Sequence, residues 1–183
     1  MTSIFRNFRT PSLLFFLVPL SPTLAYGQTI PYKNIDELIG AGSAFSIANP
    51  LIIQRITSFC ALQCPQLRPE ADKAQEMWIG RHKTYLKLSD NVRFYMILRA
   101  KKVNPPTKTS IDIINFDNLT TNSTNTAMDE FLAPLQKMAN RKQPLEPTCK
   151  ALIKAINEGE FDLSKRQPQL IHFFDTIKDS EPK

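Results

Sequence analysis

From Asn34 onward apolar residues recur at three- and four-residue steps, while the every-second-residue alternation of a half-buried strand is almost absent. Asn34 and Glu37 have capping-box spacing, and Ile35, Leu38, Ile39, Gly42 and Phe45 follow as one stripe, which predicts a first helix over 35–47. Asn49 before Pro50 reads as an N-cap with proline at the first helical position. A second helix is therefore predicted to carry Ile52, Ile56, Phe59, Cys60 and Gln63 on one side and to stop at Pro65. The longest pattern runs from Pro69 to about Lys102: Ala71, Ala74, Trp78, Arg81, Tyr85, Leu88, Val92, Tyr95 and Arg99 share a stripe, flanked by Met77, Leu86 and Met96. It predicts one long helix with a bend or break near Ser89-Asp90-Asn91, residue types that compete with helix and make good caps.

Between Val103 and Asn125 the periodicity stops. Asn104-Pro105-Pro106 breaks the chain, and the Asn/Thr/Ser run from Asp117 to Thr126 offers little apolar surface. Residues 104–125 are expected to be a loop-rich insertion in which Ile111, Ile113, Ile114 and Phe116 form a short strand or an apolar flap. Helices resume over 126–140, with Met128, Phe131, Leu132, Leu135 and Met138 on one face and Pro134 as a kink or the true start. Two more follow: 147–157, burying Cys149, Leu152, Ile153 and Ile156 and capped by Gly159, and one from Pro168, burying Leu170, Ile171, Phe174 and Ile177. The expected fold is all-α, an irregular bundle of five to seven helices with one loop-rich insertion and one disulfide. It forms a single domain over 28–179, and 180–183 are a disordered tail.

Residues 1–27 follow other rules. Arg6 and Arg9 precede a short apolar run from Ser12 to Leu20, and small residues follow at signal-peptidase spacing, the pattern of a cleaved secretory signal peptide. Cleavage after Gly27 leaves Gln28 as the new N-terminus; Ala25 is the other fitting site. The uninterrupted apolar run, Leu13 to Val18, is far shorter than the roughly 20 residues a membrane span needs. No later stretch reads as long and apolar enough to span, so the mature chain is expected in the periplasm or outside the cell without stable membrane insertion. The compact signal points to a bacterial source.

Charge is then redistributed. The 183 residues carry 23 basic and 17 acidic groups, a net +6; removing Arg6 and Arg9 with the signal lowers it to +4. The remaining excess is concentrated in residues 68–103, which makes Arg81, Arg93, Arg99, Lys101 and Lys102 the candidate partner contact. Arg81, set in an aromatic stripe, is expected to pack its stem on the rings while its head finds water or an acid. Export argues against nucleic acid as that partner.

Three cysteines remain, Cys60, Cys64 and Cys149, and an oxidising compartment favours one bridge and one spare thiol. Cys60 lies on the apolar stripe and Cys64 at a helix end, so the expected bridge is Cys64–Cys149, with Cys60–Cys149 as the alternative. No Cys-x-x-Cys is present, which favours a structural staple over redox catalysis.

Other chemistry is sparse. His82 and His172, the two histidines, have no second ligand at metal spacing, and there is no Gly-x-Ser-x-Gly, phosphate loop or His-Glu-x-x-His. Glu158, Glu160 and Asp162 are the one acidic cluster near a turn, and Asn118 and Asn122 begin glycosylation sequons. No catalytic set, cofactor or metal site is expected. The favoured function is an exported helical protein acting by contact with another protein, such as an envelope or secretion-system accessory or an immunity or inhibitor protein. The alternatives are a carrier of a small apolar ligand beside Met77, Trp78, Tyr85, Tyr95 and Met96, and a secreted hydrolase using a carboxylate pair.

Overall fold

A computed structural model describes the backbone of residues 31–103 and 106–180, with side chains throughout except at 99–103, 106–114 and 179–180. Residues 1–27, expected to be a signal peptide, lie outside the described residues. The described residues are all-α: α1 (Ile35–Gln63), a short 3-10 turn (Pro65–Leu67), α2 (Arg68–Val103), α3 (Pro106–Asn140), α4 (Glu146–Asn157), α5 (Leu163–Arg166) and α6 (Pro168–Ser180). The expected tail at 180–183 falls outside them apart from Ser180, the last residue of α6.

α1 begins where its cap chemistry places it. Asn34 Oδ1 accepts the Glu37 N–H at 2.9 Å, and Glu37 reaches back to the Lys33 N–H at 2.8 Å. The helix then runs through Pro50, which merges the two helices expected over 35–47 and 50–65 into one. One turn upstream, the Ser89 hydroxyl of α2 donates to the Gly42 carbonyl and accepts the Ser46 N–H at 2.9 Å, the two groups an α-helix would pair with each other. Ser46 Oγ in turn donates to Asp90 Oδ1 at 2.8 Å.

The same contacts explain why α2 does not break at Ser89-Asp90-Asn91. Side chains that would cap a new helix are engaged on α1 instead, and α2 continues unbroken for 36 residues. α1 is long and apolar enough to cross a membrane by length and composition, contrary to the reading that no such stretch follows the signal. Its apolar face is built into the core, where Phe45, Ile53, Ile56, Phe59 and Cys60 are all buried.

The loop-rich insertion expected over 104–125 is helical. α3 starts at Pro106, where a missing N–H costs nothing, and neither a strand nor a flap forms over Ile111–Phe116. Packing against α1 and α2 overrides the weak propensity of the Asn/Thr/Ser run: Thr120 and Thr124 are buried, with Thr124 Oγ1 returned to the Thr120 carbonyl at 2.8 Å. α3 also passes through Pro134, an exposed position.

α1 packs most extensively on α2, then on α3; α4 lies on α2, and α6 closes over both α1 and α2. At the centre sits Trp78, fully buried, with Phe45 at 6.3 Å between ring centroids and His82 stacked on it at 4.2 Å. Phe174 of α6 completes the cluster against Phe45 and Tyr85, each at 5.9 Å.

The disulfide joins Cys60 to Cys149, and Cys64 is a buried free thiol. The preferred expectation of Cys64–Cys149 is corrected by one helical turn. Cys60 lies on the α1 face that meets α4, whereas Cys64 is the C-cap residue, already out of helical conformation. Burial, with a smaller contribution from Glu146, pushes the Cys64 thiol pKa up and keeps it protonated.

Candidate functional site

The densest polar chemistry lies where α2 meets the turn between α4 and α5. α4 ends at Asn157, and Gly159 turns the chain with φ +77°, a left-handed conformation that suits glycine. A Cβ there would sit 2.8 Å from Asp162 Oδ2. This tight turn aims Asp162 at α2.

Three residues of α2 grip the turn. Arg81 holds Asp162 with two hydrogen bonds of 3.0 Å, and its Nη2 also donates at 2.6 Å to the Ile156 carbonyl in the last turn of α4, which the Gly159 N–H meets at 3.2 Å as well. Trp78 Nε1 donates to the Phe161 carbonyl at 3.2 Å. His82 Nδ1–H donates to the Trp78 carbonyl at 2.9 Å, and its Nε2 accepts the Leu163 N–H at 3.1 Å. These two bonds require a neutral ring protonated on Nδ1. Burial lowers the His82 pKa; the nearby Arg81 adds to this, while the Trp78 carbonyl and Asp162 oppose it.

The cluster is closed on itself. Arg81 fulfils the expectation of an arginine whose head finds an acidic partner. The three carboxylates considered as a hydrolytic set are each engaged: Asp162 with Arg81, Glu158 with Lys154 at 3.6 Å, and Glu160 with Lys165. His82 is buried and part of this latch.

The other expected contact residues divide. Arg93 is tied to Asp117 of α3 at 2.7 Å and to Asp90 at 3.2 Å. The side chains of Arg99, Lys101 and Lys102 lie outside the described residues, although α2 passes through all three positions. Arg81 and Arg93 thus each pair with an acid of the same chain.

The residues proposed to line a ligand do not converge. Trp78 is filled around by Phe45, His82 and Phe174, whereas Met77 and Tyr95 face solvent, 43% and 64% exposed. Met96 accepts the Ser43 hydroxyl at 2.8 Å. An open depression of about 570 Å³ lies elsewhere, between the starts of α1 and α6, bordered by Tyr32, Ile35, Leu38, Pro168 and His172. The Tyr32 hydroxyl beside it donates to Gln167 Oε1 at 2.7 Å, and burial raises its pKa. Among the described residues no group of three or more His, Cys, Asp or Glu is placed to hold a metal ion.

Two outer faces are left. On α3, Asn115, Asn118, Leu119 and Asn122 form an exposed uncharged stripe, with Leu119 55% exposed. Both sequon asparagines stand on it, in helical backbone. On α2, Lys83, Lys87, Phe94 and Leu98 point away from the core. Sequence reasoning passed over this second face because it followed the buried stripe; the signal was present in Phe94 and Leu98, which fall half a turn off that register. Comparison of the chain with protein-family models, with curated proteins and with solved structures finds no match.

Proposed function

We propose that the chain is an exported helical protein, bacterial in origin, that acts by contact with another protein of the cell envelope. Export is supported by the signal-like pattern of residues 1–27 and by a disulfide between Cys60 and Cys149, a bond suited to an oxidising compartment. The observation that carries the contact reading is a contrast. The chemistry-bearing side chains Arg81, His82, Arg93, Glu160 and Asp162 are committed to the protein's own architecture, while Leu119 is exposed on an uncharged face of α3.

That face, within the segment the sequence marks out at 104–125, is the proposed contact. Asparagines around an exposed leucine supply adaptable hydrogen bonding about an apolar anchor without a charge to desolvate. Leu119→Asp tests it, because an exposed position tolerates the change without cost to the core. Immobilised chain beginning at Gln28 is expected to retain a specific envelope protein from the source cell, and Leu119→Asp to reduce that retention at least about tenfold at unchanged melting temperature. A partner retained equally by both proteins overturns the assignment.

A further inference from the structure

We infer that the outward stripe of α2 formed by Lys83, Lys87, Phe94 and Leu98 is a docking surface for an anionic phospholipid bilayer. This goes beyond the protein contact on α3 and uses a different helix. With about 100° per residue the four positions fall within an arc of roughly 60°, opposite the buried Ala74, Trp78 and Val92, and they span about 22 Å of helix. Phe94 is 60% and Leu98 40% exposed, and Tyr95, at 64%, stands beside them. Large apolar side chains are thus presented to solvent on a ridge.

The charges around them are unspent. Lys83 and Lys87 are exposed and form no ion pair among the described residues. Asp90, the carboxylate closest in sequence on that side, is held by Arg93 and Ser46. The helix continues through Arg99, Lys101 and Lys102 with no acid after Asp90. Basic groups flanking aromatic and aliphatic side chains are the arrangement of an interfacial helix: rings and leucine enter the headgroup boundary while lysine stems reach along it to the phosphates.

Two other occupants fit less well. Protein interfaces are depleted in lysine, and a single convex helix offers no pocket for an anchor from a partner. A second copy of the same stripe would set lysine against lysine in a parallel pairing and lysine against Phe94 and Leu98 in an antiparallel one. A planar anionic surface complements the convex shape and, on the C-terminal side of the exposed Glu76, the sign of the unpaired lysines.

The test is co-sedimentation of the chain beginning at Gln28, which contains every described element, with vesicles of pure phosphatidylcholine and with vesicles one-third phosphatidylglycerol. Binding is expected only to the anionic vesicles and to weaken as salt rises. Lys83→Gln/Lys87→Gln is expected to weaken it about 25-fold, roughly fivefold per lysine, and Phe94→Ser/Leu98→Ser at least about tenfold. All four positions are exposed, so far-ultraviolet dichroism and melting temperature should match the parent. Equal binding to both vesicle types, no binding to either, or variants that bind like the parent would overturn the inference. So would loss of a captured protein, without vesicle binding, in Phe94→Ser/Leu98→Ser. Leu119→Asp, which probes α3, should leave vesicle binding unchanged, so the two readings fail separately.

Discussion

Opening the Cys60–Cys149 bond isolates one large contribution to stability. The bond closes a sequence separation of 89 residues. The chain-entropy relation assigns about 4.6 kcal/mol to such a loop, because the cross-linked unfolded chain has fewer conformations to lose on folding. Both sulfurs are fully buried, so replacing them by alanine adds a packing loss of about 1 kcal/mol each. Cys64→Ala provides the control: it removes another buried sulfur without touching the loop. In urea denaturation, Cys60→Ala/Cys149→Ala is expected to lose about 6.6 kcal/mol and Cys64→Ala about 1 kcal/mol. For a domain of this size that corresponds to a drop in melting temperature of roughly 13–26 °C against 2–4 °C. Reductant should lower the parent and the Cys64→Ala protein alike and leave the double variant unmoved. If Cys64→Ala were the protein that lost the large increment and its response to reductant, both the pairing and the loop arithmetic would be wrong.

Acidification probes the latch between α2 and the α4–α5 turn. Burial holds the folded-state pKa of His82 below its ordinary 6.5, so between 6.5 and that lower value the unfolded chain binds a proton the folded chain does not. Stability should therefore fall as pH drops through this window, by up to about 1.4 kcal/mol per unit, with no contribution from His82 above it. His82→Ala should flatten that slope and cost about 2–3 kcal/mol at neutral pH, since the buried Leu163 N–H loses its acceptor; melts whose pH dependence is identical in the two proteins contradict the assignment. Gly159→Ala should destabilise by about 2 kcal/mol, from its left-handed backbone and the new Cβ pressing on Asp162, and a loss under about 0.5 kcal/mol in urea would show that the turn relaxes freely.

Most of the bundle was legible because periodic burial is a local property of sequence. The stripes through Phe45, Trp78, Leu132, Ile153 and Phe174 predicted which faces turn inward, and the five residues are all buried or nearly so. Punctuation was harder to read. Pro50, Ser89-Asp90-Asn91 and the Asn/Thr run of α3 are stop signals in isolation, and each is overruled by a partner distant in sequence: Ser89 answers Gly42, and Asp117 answers Arg93. The same distance hid the latch. Arg81 could be read as seeking an acid, but its choice of Asp162 depends on the left-handed turn at Gly159. The cysteine pairing missed by a single turn, since spacing places Cys60 and Cys64 on one face and only the approach of α4 selects between them.

The Ser89 hydroxyl between Gly42 and Ser46 makes α1 and α2 a single cooperative unit. At that point the Ser46 amide is protected by an atom of the other helix, so its hydrogen exchange reports undocking of α1 from α2 rather than fraying of α1 alone. The hydroxyl that pairs with these two groups of α1 arrives only with α2, about 45 residues further along the chain, so this part of α1 is completed by docking.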